Sequence, residues 1–413
     1  MSQLPHILSQ HAEEASFQWL LRSLAVHAPH YSLKDLARLD DVVDAHLDGL
    51  RLSGDAGWRI CRDELAWEEP GELFVAAFLA YESNQPDHVE AVEQALMRTP
   101  ATASGLVSAL GWLTWEQAQP QIQRLLDAPD PHLRRAALAA ATIHRQDPGL
   151  ALLKALQDLD PVVTPRALRA AGELGRRDLA PRCAELAHAS HADTAFWAAW
   201  AATLLGEAAA AEALVAISET GGPHAERAAA LAARRLETAR TQAWCRLLAA
   251  DALTSRLAVV VAGASGDPLH VPWLLEQMAV DELARPAGEA FSLLTGLDLA
   301  HLDLERDGPA GFATGPTEDA ADEDVALDPD EDLPWPDPAR IGAWWSQHGR
   351  RYKTGARYLL GEAVAADGLQ TALVTGRQRQ REAAALELTL RQPGRPLYET
   401  RARGDRQRRQ LGG

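Results

Sequence analysis

Three places in the chain gather side chains of the kind that do chemistry. His188, His191 and Asp193, with Cys183 just upstream, offer nitrogen, oxygen and sulfur donors suited to zinc. Two histidines three residues apart specify such a site weakly, and the stretch falls at a turn, so solvated turn residues are the expectation. Asp40, Asp41, Asp44, His46 and Asp48 supply the carboxylates and imidazole that acid-base catalysis uses. Along one helix these acids spread around its outward side, and a solvated face is expected. Asp322, Asp324, Asp328 and Asp330 alternate as calcium ligands do, but without the EF-hand spacing or its bidentate glutamate. Nucleophile-elbow, P-loop, dinucleotide and H-E-x-x-H motifs are absent from the sequence. The residues therefore imply no metal, no cofactor and no catalytic residue, and the chain reads as something other than an enzyme.

The elements that would position these residues come from a repeat. A turn marked by Pro, Gly or Asp, followed by an Ala- and Leu-rich block of helical period, begins at Pro70, Pro100, Asp130, Asp160, Asp193, Gly222, Thr254 and Leu283. Each unit reads as a helical hairpin. In the unit from Asp160, Ala167, Leu168, Ala171 and Leu174 form the stripe of a first helix, Gly175 ends it, and a second helix starts near Leu179. A hairpin so rich in alanine has too little apolar area to stand alone, so its faces must be buried against neighbouring units in a stacked array. Phe196, Trp197 and Trp200 are expected to fill the wider gaps between layers.

The array spans residues 70–304. Residues 1–69 are expected to cap it, with Phe17, Leu20, Leu21 and Leu24 as the apolar stripe of the first helix and Ser32 and Asp35 as a capping box for the second. Residues 305–339 read as an acidic Gly/Pro-rich loop. Residues 340–413 read as a C-terminal helical cap with a basic tail, in which Pro338 opens a helix bearing Trp344 and Trp345 and another helix follows Gly376.

Charge narrows the partners. The 413 residues hold 40 Lys+Arg and 58 Asp+Glu, a net charge of -18, which disfavours nucleic acid and anionic membrane. From Arg340 onward the balance reverses to 15 basic against 6 acidic residues, whereas nine acids crowd the sixteen residues from Thr317 to Asp332. That run reads as a solvated loop, with two sharper roles open: a strap neutralising the C-terminal arginines, or a dock for a basic partner. The candidate partner-binding residues are Asp319, Asp322, Glu323, Asp324, Asp328, Asp330, Glu331, Asp332, Trp335, Trp344 and Trp345. Cys61, Cys183 and Cys245 form no C-x-x-C pair, and no leader or long uncharged apolar run is present, so a cytoplasmic protein is expected.

The segments FSLLTGLDL (Phe291 to Leu299), EDLPWPDP (Glu331 to Pro338), AWW (Ala343 to Trp345), RYLLG (Arg357 to Gly361) and TGRQRQREAAALEL (Thr375 to Leu388) carry a resemblance. Together they resemble an uncharacterised group of bacterial HEAT-like-repeat proteins whose genes often neighbour type VI secretion genes. The resemblance implies an all-α chain, an α-solenoid of HEAT-like hairpins, and an accessory role in secretion. That role would be an effector adaptor or an immunity protein, with a secreted effector, toxin or spike component as its protein partner. It transfers no catalytic residues. A lyase-type HEAT-like enzyme and a self-associating structural protein are the alternatives.

Overall fold

The computed structural model describes residues 5–312 and 328–412. They form 22 α-helices: α1 Pro5–Ala25, α2 Leu33–Leu52, α3 Asp55–Glu64, α4 Pro70–Ser83, α5 Pro86–Arg98, α6 Ala103–Trp112, α7 Trp115–Leu126, α8 Pro131–Ile143, α9 Leu150–Ala155, α10 Val163–Glu173, α11 Ala180–Leu186, α12 Ala192–Leu205, α13 Ala210–Glu219, α14 Ala225–Arg235, α15 Thr238–Ala249, α16 Ser255–Ser265, α17 Val271–Gln277, α18 Asp281–Thr295, α19 Pro338–His348, α20 Ala366–Thr375, α21 Gln378–Arg391 and α22 Gly404–Gln410. The chain is all-α apart from a small antiparallel hairpin, β1 Tyr358–Leu359 with β2 Glu362–Ala363, among the described residues. None of the described helices is long and apolar enough to cross a membrane.

Local signals explain where the helices begin and end. Ser32 and Asp35 close the capping box of α2, Asp130 accepts the His132 and Leu133 N–H groups of α8, and Pro70 and Pro131 occupy first-turn positions where no N–H is needed. Gly206, Gly266 and Gly296 take the left-handed conformation that ends α12, α16 and α18. The eight repeat starts read from the sequence fall within three residues of the N-termini of α4, α6, α8, α10, α12, α14, α16 and α18.

Contacts divide the chain into two compact units. The first contains the residues up to Gly206 and those from Gln392 onward; the second runs from Glu207 to Arg391. Residues 340–413 are thus shared between the two.

In the first unit α1 packs on α4, α4 on α6, α6 on α8, α8 on α10 and α10 on α12. Trp19 stacks on Phe74 at 5.3 Å, and Phe74 meets Trp112 edge-on at 5.3 Å, which ties α1, α4 and α6 into one core. Small residues set the spacing: a Cβ on Gly172 would stand 2.8 Å from Trp200 Cζ3, so α10 reaches α12 only with glycine there. Phe196 and Trp200 are buried as expected, while Trp197 is half-buried beneath Arg169.

The first helix departs from expectation. Phe17, Leu20, Leu21 and Leu24 are 54, 45, 37 and 56% exposed, and the opposite side, with Ala12, Ala15 and Trp19, makes the core. Both sides are apolar, but only the one built from alanine lets a neighbouring helix approach closely while Trp19 reaches Phe74.

In the second unit α14, α16 and α18 pack in series, flanked by α13, α15 and α17, and α21 lies on α14. The hairpin serves the helix ends. The N–H groups of Tyr358, Leu360 and Gly361 donate to the carbonyls of Gly266, Leu293 and Leu294 at 2.9, 2.9 and 2.8 Å, satisfying acceptors that α16 and α18 leave open. Arg357 adds donations to the Arg234 and Ser265 carbonyls at 2.9 and 3.0 Å.

The last residues do the same for the first unit. Arg406 donates to the Gly111 and Leu113 carbonyls at 2.8 and 3.1 Å, and the Leu397 N–H to the Glu173 carbonyl at 2.9 Å, so the tail crosses the C-terminal ends of α6 and α10. Those ends carry partial negative charge, which suits a segment with six arginines against Glu399 and Asp405.

Candidate partner-binding and charged sites

The residues singled out in the acidic run have different fates. Asp319, Asp322, Glu323 and Asp324 lie outside the described residues. Asp330 is buried and pairs with Arg256 at 2.5 Å, and Asp328 pairs with Arg285 at 2.5 Å, so both carboxylates serve arginines of α16 and α18. Trp335 lies under the Arg285 guanidinium at 4.8 Å and meets Phe312 edge-on at 5.0 Å. Trp344 stacks on His348 at 4.5 Å and Trp345 on Tyr352 at 5.2 Å, and both rings lie at a steep angle to Phe291, 89° and 75°. Glu331 and Asp332 are exposed.

The two upstream clusters also resolve. Cys183 is fully buried, whereas His188 and Asp193 are exposed and His191 caps α12 by accepting the Thr194 N–H. Among the described residues no group of three His, Cys, Asp or Glu is placed to hold a metal ion.

The acids of α2 overturn the solvated-face expectation at two positions. Asp40 is buried, binds Arg22 at 2.8 Å and accepts the Gly404 N–H at 2.6 Å. Arg22 in turn donates to the Arg401 and Ala402 carbonyls at 2.7 and 3.0 Å. Asp44 accepts the Trp112 indole N–H at 2.6 Å and pairs with Arg403, which lies 5.1 Å over the Trp112 ring. These carboxylates hold the tail, a segment more than 350 residues away in sequence. Gly404 permits the contact, since a Cβ there would come within 2.6 Å of Ala37 Cβ.

A second cluster escaped the sequence reading altogether. On α10, Glu173 takes Arg166 at 3.0 Å on one oxygen and Arg169 at 2.9 Å on the other. Arg401 approaches Glu173 at 3.5 Å and binds Glu399 at 2.8 Å, and Arg145 reaches Glu399 at 3.2 Å. Four guanidiniums thus share two carboxylates, and both carboxylates are buried. Arg166 Nη1 is buried without a hydrogen-bond partner. The spacing of Arg166, Arg169 and Glu173 on one helix face was visible, but Arg145, Glu399 and Arg401 join them only through the fold.

The chain matches no family model, and no curated protein matches it.

Electrostatics follow from that packing. Burial alone would push the Glu173 carboxyl up, but Arg169, Arg166, Arg145 and Arg401 outweigh it and hold it down at about 2. Burial likewise opposes ionisation of Glu399, and Arg401 and Arg145 hold it far below the usual carboxylate range. Arg166 is lowered to about 10 by burial, against the pull of Glu173. Burial raises the Cys183 and Cys245 thiols to about 12, which makes them poor nucleophiles.

Proposed function

We propose that this chain is a non-enzymatic cytoplasmic scaffold, an α-solenoid of HEAT-like hairpins, that binds another protein and serves type VI secretion as an effector adaptor or immunity protein. The series from α4 to α12 and the series of α14, α16 and α18 support the stacked array. One observation carries the binding role: the outward apolar face of α1, formed by Phe17, Leu20, Leu21 and Leu24. The terminal helix of a stacked array ordinarily turns a polar side to water, and a contiguous apolar side there marks a contact surface. Glu13 on that face and Glu14 beside it favour a partner helix with an apolar stripe and basic flanks.

The test compares the wild type with Leu20→Asp/Leu24→Asp in the native bacterium. An adaptor is required for export of its effector and leaves toxicity intact; an immunity protein suppresses toxicity on co-expression. Either activity should fall with the double substitution. If export and toxicity are both indifferent to the protein, the secretion reading fails. A light-scattering mass showing a dimer that the substitutions dissociate would assign the α1 face to a second copy instead.

A further inference from the structure

In the sequence His46 stands among the acids of α2; in the fold its neighbour is a second histidine. α1 packs along α2, and His11 Nδ1 lies 3.1 Å from His46 Nδ1, with the ring centroids 5.3 Å apart and the ring planes at 63°. Both rings are half-buried, and each makes that one side-chain hydrogen bond among the described residues. Gly49, one turn beyond His46 on α2, makes room for the pair: a Cβ there would stand 2.9 Å from His11 Nε2.

The contact requires one ring to donate its Nδ1–H and the other to accept it, because two bare lone pairs repel. A metal ion can take the place of that shared proton. With metal–nitrogen bonds of about 2.0–2.1 Å, nitrogens 3.1 Å apart subtend roughly 100° at the ion, close to the tetrahedral angle. The donor ring then carries its proton on Nε2 instead of Nδ1, so both Nδ1 lone pairs meet the ion and neither ring has to ionise. Burial, then His11, lowers the pKa of His46 against the pull of Glu14, which keeps this ring in the neutral form that ligates near pH 7.

We infer that His11 and His46 form a two-histidine site for a divalent ion of the zinc, copper or nickel type, held by their facing Nδ1 atoms. Imidazole nitrogen suits these ions, whereas magnesium and calcium prefer oxygen. No third His, Cys, Asp or Glu joins the pair among the described residues, so water fills the other positions and the ion is exchangeable. Phe17, Leu20, Leu21 and Leu24 take no part in the pair, and the inference stands apart from the scaffold reading.

Calorimetric titration of the full chain with zinc chloride near pH 7 tests it, using His11→Gln, His46→Gln and, as a control for adventitious surface binding, His188→Gln/His191→Gln. One saturable zinc site per chain is expected, weakened about tenfold or more by either single substitution and unchanged in the control. Zinc should also raise the thermal midpoint of the wild type and of neither single variant. Nitrogen NMR of the wild-type imidazoles needs no variant and so holds even if a substitution unfolds the chain: two of the 14 histidines should become Nδ1-bound rings protonated on Nε2. Absence of saturation, affinity unchanged by either single substitution, loss of binding in the control, or no Nδ1-bound ring would overturn the inference.

Discussion

Asp40 and Asp41 are adjacent carboxylates with opposite roles: Asp40 is buried between Arg22 and Gly404, and Asp41 is exposed. Asp40→Asn would leave Arg22 buried with its charge unpaired, a loss of about 3–5 kcal/mol, whereas Asp41→Asn should stay within about 0.5 kcal/mol. Urea unfolding of the two variants checks this, and equal midpoints would mean that Asp40 does not anchor the tail. Histidine makes the residue-scale case for pH. Burial, then Arg406, lowers His144 to about 4, although the Leu110 carbonyl that its Nε2–H meets at 2.9 Å and Glu116 favour the charged form. The unfolded chain therefore takes up a proton below its ordinary range while the folded chain resists. Stability should fall as pH drops from about 6.5 toward 4, by on the order of 2 kcal/mol. Glu173, held at about 2, extends the loss, because its contribution is present above the ordinary glutamate range and disappears as pH falls through its folded value. His144→Gln should flatten the urea-midpoint profile between pH 6.5 and 4 and leave the steeper acid limb in place. A variant profile parallel to the wild type would assign the upper limb to other groups, of which the buried His270, also lowered by burial, is the first to try.

At the scale of elements, the tail from Gln392 is the feature that sequence reasoning placed least well. Its arginines were visible, but not the distant partners that Arg401 and Arg403 meet, Glu399, Glu173 and Asp44; residues 313–327, which hold most of the acidic run expected to neutralise them, lie outside the described residues. A salt-sensitive clamp on exposed acids would loosen as ionic strength rises. Pairs buried as deeply as those of Glu399 and Glu173 are screened far less. Protease cleavage between Arg401 and Arg409 should therefore stay slow from about 0.1 to 1 M salt and accelerate in Asp40→Asn; rapid cleavage at high salt alone would point to surface ion pairing. The repeat helices were legible because their starts are written in local chemistry: Pro at the first turn, Asp or Ser at the cap, Gly at the end. The face that α1 buries was not, since both of its sides are apolar and the choice between them belongs to Ala12, Ala15 and Trp19 meeting α4. The tail contacts were illegible for a related reason. A carboxylate that will hold a segment far along the chain looks, in sequence, like any acid on a solvated helix.

For the whole molecule, chain order and compactness disagree in a way that can be measured. The second unit is one continuous stretch, Glu207 to Arg391, whereas the first is assembled from two stretches that the second separates. A continuous unit with its own packed helices has what it needs to fold alone. The first unit does not until the final residues are present: without them Asp40 loses the Gly404 N–H, Arg22 loses two carbonyl acceptors, and the carbonyls of Gly111, Leu113 and Glu173 lose their donors. Unsatisfied buried groups cost about 1–3 kcal/mol each, comparable in sum with the whole stability of a typical domain at about 5–15 kcal/mol. A fragment of residues 207–391 should accordingly show cooperative thermal unfolding, and a fragment of residues 1–206 should not. Adding a synthetic peptide of residues 392–413 to the latter should restore helical circular dichroism and a cooperative transition, and the same peptide with Arg403→Ala and Arg406→Ala should restore much less. If fragment 1–206 unfolds cooperatively without the peptide, the tail is an ornament on a finished unit, and the buried pairs at Asp40 and Glu173 stabilise far less than their geometry implies.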